Sequence, residues 1–169
     1  MDDIFELKEK NLKHIYLVYL SPPPSMSLVQ NVLVTWPMLE HLYIVPADPE
    51  IEWDLGSLLS AGPALGTCLR KLCLPLSLRS LAAASTTLPP FKAPLHTLTL
   101  CNAGDIPGGQ KEKHAIARNL ITLFPRLIVI ETVSAQNDSC GHIRDLQVII
   151  DALRDCITFP PSRPDFLYC

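Results

Sequence analysis

One six-residue pattern, L-x-x-L-x-L with Ile allowed for Leu, constrains this chain more than any other feature. It reads Leu12-Lys-His-Ile-Tyr-Leu17, Leu39-Glu-His-Leu-Tyr-Ile44, Leu69-Arg-Lys-Leu-Cys-Leu74 and Leu95-His-Thr-Leu-Thr-Leu100. A fifth, weaker copy is Leu127-Ile-Val-Ile-Glu-Thr132. The starts are spaced by 27, 30, 26 and 32 residues. Recurrence at a nearly fixed period means one supersecondary unit stacked on copies of itself, because a single unit cannot bury its apolar face alone. Toward the end of each hexamer apolar positions alternate with polar or aromatic ones, the period of a strand with one buried face.

Between the hexamers the period changes. Val29, Val32, Leu33 and Trp36 fall on one helical face, as do Ile51, Leu55, Leu58 and Leu59. Ile116, Leu120, Leu123 and Phe124 form a third set, and Ile143, Leu146, Ile149, Ile150 and Leu153 a fourth. Three-to-four spacing predicts amphipathic helices. Segment 77–94 is ambiguous: Leu78 and Leu81 open either a helix or a second short strand, and Pro89-Pro90 stop both. Residues 22–24, 46–50 and 101–112 read as loops. Trp36-Pro37, Phe124-Pro125 and Pro94 stand just before hexamers. Proline ends a helix and biases its neighbour to extended backbone, and the aromatic before it can cover the end of the core.

These units predict an α/β solenoid of the leucine-rich-repeat kind. It has about five strand–helix units, one parallel sheet and helices on the outer face. Residues 1–157 make a single domain, and 158–169 an extended proline-rich tail in which Pro161-x-x-Pro164 suits a proline-binding partner or is plain terminal chain. Units of this length also build doubly wound α/β sheets. Strands covered on both faces, however, read as continuous apolar runs. Here His14, Tyr16, His41, Tyr43, Thr97 and Thr99 interrupt them, and no Gly-x-Gly-x-x-Gly follows a strand. One sheet face is therefore expected to stay open as a concave wall, with the strand at 127–130 as its covered end.

On that wall His14, His41, Lys71 and Thr97 align across successive strands, and Tyr16, Tyr43, Cys73 and Thr99 form the next column. Strands ~4.8 Å apart bring such side chains into contact. Exposed tyrosines on a rigid wall are good protein-binding anchors, although Tyr and Thr also simply suit strands.

No catalytic residue, metal site or cofactor is expected. The six cysteines, at 68, 73, 101, 140, 156 and 169, form no Cys-x-x-Cys, and no second ligand pair joins Cys140 and His142 at zinc-like spacing. Gly104-Asp-Ile-Pro-Gly-Gly-Gln-Lys111 is followed by Glu112, not by the Ser or Thr of a phosphate loop, and reads as a flexible turn. His114, beside Lys111 and Lys113, belongs to an exposed helix face, and Asp145, Asp151 and Asp155 to the solvated side of the last helix. There is no Gly-x-Ser-x-Gly elbow.

A formal net charge of −3 gives no broad basic field, so neither nucleic acid nor membrane is expected as a partner. No apolar run approaches the ~20 residues that span a bilayer. The amino terminus lacks the basic start and apolar core of a secretory signal. An intracellular, cytoplasmic or nuclear protein is expected, its cysteines reduced.

The hexamers resemble the leucine-rich-repeat class. Pro94-Leu-His-Thr-Leu-Thr-Leu100, Ala115-Ile-Ala-Arg-Asn-Leu-Ile-Thr-Leu-Phe-Pro-Arg-Leu127, Ile130-Glu-Thr132 and a final helix over 142–157 more specifically resemble the repeat region of fungal F-box proteins. The resemblance covers most of the chain in architecture and 94–157 in wording. It implies repeats that hold a substrate for ubiquitin transfer, while an F-box docks on the adaptor of a cullin-RING ligase. Only eleven residues precede Leu12, so the adaptor is a partner only if an F-box lies upstream. The asparagine-ladder positions of such repeats hold Leu20, Ala47, Ser77 and Ala103, which makes these copies irregular. The expected function is a non-catalytic protein-binding module with a partner of unknown identity. Alternatives are an orphan repeat scaffold with no ubiquitin role and a small doubly wound α/β enzyme.

Overall fold

The computed structural model describes residues 11–21, 24–84, 88–101, 109–133 and 138–158. Strands β1 (His14–Leu20), β2 (His41–Pro46), β3 (Lys71–Leu74), β4 (Thr97–Cys101) and β5 (Val129–Val133) alternate with helices. These are α1 (Met26–Thr35), α2 (Leu55–Ala61), α3 (Leu78–Ala82), α4 (Gln110–Leu123) and α5 (Asp138–Thr158). All five strands run parallel in one sheet, in chain order. Because that order never reverses, the sheet has no switch point at which a doubly wound fold would open a ligand crevice.

Each strand begins two residues into its hexamer. The third hexamer positions, His14, His41, Lys71, Thr97 and Val129, stand side by side in register. The second positions form a repeated rung. The Lys13 carbonyl accepts from the N–H groups of Glu40 and His41 at 2.8 and 2.9 Å. Glu40 does the same for Arg70 and Lys71, Arg70 for His96 and Thr97, and His96 for Ile128 and Val129. The letter repeat is thus a hydrogen-bond repeat.

First, fourth and sixth positions supply the core. Leu39, Leu69, Leu95 and Leu127 are buried, as are Ile15, Leu42, Ile44, Leu72, Leu74, Leu98, Leu100 and Ile130. They share one apolar cluster with Val32 of α1, Leu58 of α2, Leu81 of α3, Leu120 of α4 and Leu146 of α5. The helices therefore cover one face of the sheet, and the alternate strand residues point to the other.

The turns that lead into strands also repeat. Trp36 and Phe124 end α1 and α4 with nearly the same backbone, φ −123° ψ 77° and φ −125° ψ 79°. Their carbonyls accept from Leu39 and Leu127 at 3.1 and 2.9 Å, and both rings are buried. Gly66 takes the equivalent place before Leu69. A β-carbon there would stand 3.0 Å from the Pro37 carbonyl oxygen, so this copy has no room for an aromatic.

Several boundaries differ from the sequence reading. Helix α2 starts at Leu55, where the Asp54 carboxylate accepts the Ser57 N–H at 2.7 Å; Ile51 lies outside it. That capping bond holds the Asp54 carboxyl below the usual carboxylate range. The segment between Ile51 and the helix is held instead by Trp53, which bridges to Leu76. Segment 77–94 opens as the short helix α3. Pro46 and Cys101 belong to strands and Gln110 to α4, so the loops at 46–50 and 101–112 are narrower than expected. Helix α5 runs to Thr158; residues 22–23, 102–108 and 159–169, which carry part of the first proline loop, most of the Gly104–Lys111 turn and the proline-rich tail, lie outside the described residues.

Where an asparagine ladder is missing, long-range amides join the units. Gln30 of α1 donates to the Ser60 carbonyl at 3.0 Å, and Asn119 of α4, buried, donates to the Leu81 carbonyl at 2.7 Å. Both acceptors lie in the last turn of a short helix, and the Leu81 carbonyl also accepts the Ala84 N–H at 3.3 Å.

Candidate functional site

The face opposite the helices carries the two predicted columns. On β1 and β2, in parallel register, the His14 and His41 rings stack at 4.2 Å between centroids with 7° between planes. Tyr16 and Tyr43 stack at 4.9 Å and 25°. Burial holds the His41 imidazole below its ordinary range, and the neighbouring His14 and Lys71 push the same way. Burial raises the Tyr43 phenol, and the nearby Thr99 hydroxyl opposes that shift.

Tyr43 shapes the middle of the wall. Its register partner is Cys73, whose own partner is Thr99. The Tyr43 phenol, reaching toward Thr99 on β4, lies over Cys73 between them. Cys73 is 0% exposed beneath it, Thr99 3% and Thr97 8%. This corrects the expectation of an open wall across all the strands: Cys73, Thr97 and Thr99 are small side chains screened by larger neighbours in register. Thr99 also donates to Glu131 of β5 at 3.4 Å. The accessible part is His14, Tyr16 and Lys71, with His41 and Tyr43 half-buried.

Beneath Tyr43 lies a pair that the sequence reading did not bring together: it placed Cys73 on the open wall and Cys101 at the start of a loop. The Cys73 and Cys101 sulfurs approach to 3.1 Å, and Cys101 donates to the Ile44 carbonyl at 3.3 Å. The hydrogen bond with Cys73, reinforced by burial, pushes the Cys101 thiol far above its ordinary range. That thiol is buried and packed as a donor to the Ile44 carbonyl. Among the described residues no group of three or more His, Cys, Asp or Glu is gathered to hold a metal ion. Among the same residues no helix is long and apolar enough to cross a membrane.

The wall has two different ends. At β5 the inward-facing Val129, Glu131 and Val133 are open, contrary to the expectation of a covered strand. What is covered is its outer edge. Gln147 of α5 accepts the Ile130 N–H at 2.8 Å and donates to the Ile128 carbonyl at 2.8 Å, in the place of a sixth strand. Lys113, next to the His114 expected on an exposed face, is buried and donates to Asp145 at 2.7 Å. That ammonium holds the Asp145 carboxyl below the usual carboxylate range. His114, by contrast, is exposed as expected. At β1 the register slips between Val18 and Leu20, and Tyr19 takes a left-handed φ of 55°. Tyr16, Val18 and Tyr19 are 57%, 47% and 77% exposed.

No protein-family model matches this chain, and no curated protein matches it. Among solved structures, the actin-binding site 2 of leiomodin-1 aligns over 94% of this chain and 94% of its own, with a TM-score of 0.51 and 13% identity. The tropomodulin C-terminal domain from Caenorhabditis elegans aligns over 94% and 95%, with a TM-score of 0.45 and 10% identity. At these identities the likeness to the leiomodin-1 structure is one of fold: a parallel α/β sheet with its helices, shared over nearly the whole of both chains.

Proposed function

We propose that this chain is a non-catalytic protein-binding module, a leucine-rich-repeat-like solenoid that receives its partner on the sheet face away from the helices. The observation that carries the reading is the double ring ladder on β1 and β2, His14 on His41 and Tyr16 on Tyr43, fixed by main-chain register and open to solvent at Tyr16. Aromatic rings already held in place lose little freedom when a partner covers them, which concentrates binding energy on few residues. The leiomodin-1 structure of similar fold is an actin-binding site, which supports protein binding as a use of such a scaffold and makes actin the first defined partner to try.

The test compares the wild-type chain with Tyr16→Ala and Tyr43→Ala in affinity for purified actin and for any partner captured by the wild type. The reading expects affinity to fall by about tenfold or more per ring, with the melting curve of Tyr16→Ala little changed and that of Tyr43→Ala lowered by only about 2–4 °C. Full affinity in both folded variants overturns it. A second reading, substrate recognition for a cullin-RING ubiquitin ligase inside the cell, is supported by the F-box-like wording of residues 94–157. Its test is co-purification of the ligase adaptor with the native gene product.

A further inference from the structure

Parallel strands begin at one edge of the sheet and end at the other, and here the two edges differ in charge. Past the end of β2 stand Asp48, Glu50, Glu52 and Asp54, all exposed. At the edge where strands begin lies a cleft of about 340 Å³, lined by Glu40, Cys68, Arg70, Pro94, His96 and Arg126 among others. Its one carboxylate, Glu40, is already engaged by Lys13 at 2.9 Å. Among the described residues neither Arg70 nor Arg126 forms an ion pair within 4 Å, although the Arg70 charge reaches the Glu40 carboxylate, in a chain whose net charge is −3. The main-chain groups of Arg70 and His96 at this edge are consumed by the rungs, so recognition there falls to side chains.

We propose that this cleft takes the carboxylates of an acidic segment of a partner protein. Arginine forks pair with carboxylates bidentately, and the His96 imidazole between the two arginines adds a donor. The site is a single small cleft on an acidic chain. It lacks the extended basic surface that holds a nucleic-acid backbone. The inference rests on the protein-binding reading and adds a second contact to it, on the edge and away from the ring ladders.

The test titrates the full chain against fluorescein-labelled octaglutamate, followed by anisotropy at low salt, with labelled octalysine as control. Octaglutamate alone should bind. Arg70→Gln and Arg126→Gln should each weaken it by about tenfold, and added salt should weaken it further. Both side chains are exposed and the rung at residue 70 is main-chain, so these variants keep the fold. Tyr16→Ala should bind octaglutamate as well as wild type, which separates failure of this site from failure of the ring-ladder reading. Equal binding by wild type and the double arginine variant overturns the proposal. Displacement of the peptide by inorganic phosphate at matched charge, showing a site for any small anion, overturns it as well.

Discussion

The two ends of the sheet are built from the same hexamer and finished in opposite ways. At β5, α5 lays its Gln147 amide along the outer edge and pairs Asp145 with the buried Lys113. At β1, among the described residues, the outer edge carries no such cover, and three large side chains face water. An unpaired edge invites another chain, and a protein must blunt it or use it. The chain blunts one edge with an amide that copies a peptide group. At the other end it presents rings, a register slip and a residue with left-handed backbone. The β5 end is finished by an amide and a buried ion pair, the β1 end by exposed rings.

Substitutions at the two ends should therefore differ in kind. Phe124→Ala, at the sealed end, should cost about 3–5 kcal/mol in chemical denaturation, while Tyr16→Ala should stay within about 0.5 kcal/mol. Equal costs would erase the distinction. Gln147→Ala should cost about 1–3 kcal/mol and speed hydrogen exchange at the Ile130 amide; unchanged exchange would mean the edge is not held by that amide. Tyr43→Ala should cost about 1 kcal/mol and open Cys73 to a thiol reagent under native conditions. A thiol that stays as slow as in wild type would show that Tyr43 is not its cover.

Tyr19→Gly, at the open end, should stabilise by about 1 kcal/mol, since glycine adopts a φ of 55° without strain. A loss of stability would mean that the ring itself packs. The smallest effect is in acid. Because Lys113 depresses the Asp145 pKa in the folded chain, the pair's contribution is present above the unfolded value of ~3.9 and is lost as pH falls through the folded one. The stability gap between wild type and Asp145→Asn should close over that window; a gap that persists below it would contradict the pairing.

Much of the fold was legible because it is periodic. The alternation around Leu42 and Ile44 placed β2, and the spacing from Ile116 to Leu123 placed α4. The same in-register arithmetic that aligned His14 with His41 and Tyr16 with Tyr43 gave the ring stacks. What escaped depends on the lengths of single side chains and on contacts distant in sequence. Nothing beside Cys73, Thr97 or Thr99 in the chain shows that their larger neighbours in register screen them, so three residues of the predicted wall are buried. Nothing in the repeat marks Gln147 as an edge cap, since its partners lie 17 and 19 residues away. Local charge patterning cannot show that α5 packs beside Lys113. Only the Leu-x-x-Leu spacing of Leu78 and Leu81 hinted that 77–94 opens with a helix.

The central claim, that the open ring ladder is where a protein partner sits, is tested most directly by site-specific photo-crosslinking in cells. One photoreactive residue replaces Tyr16, and in a second chain another replaces Val148, which is similarly exposed on α5 at 63% against 57%. A discrete adduct from position 16, absent from 148 and lost when Tyr43→Ala is added, is the predicted result. The same adducts from both positions, or none from position 16, would contradict the account.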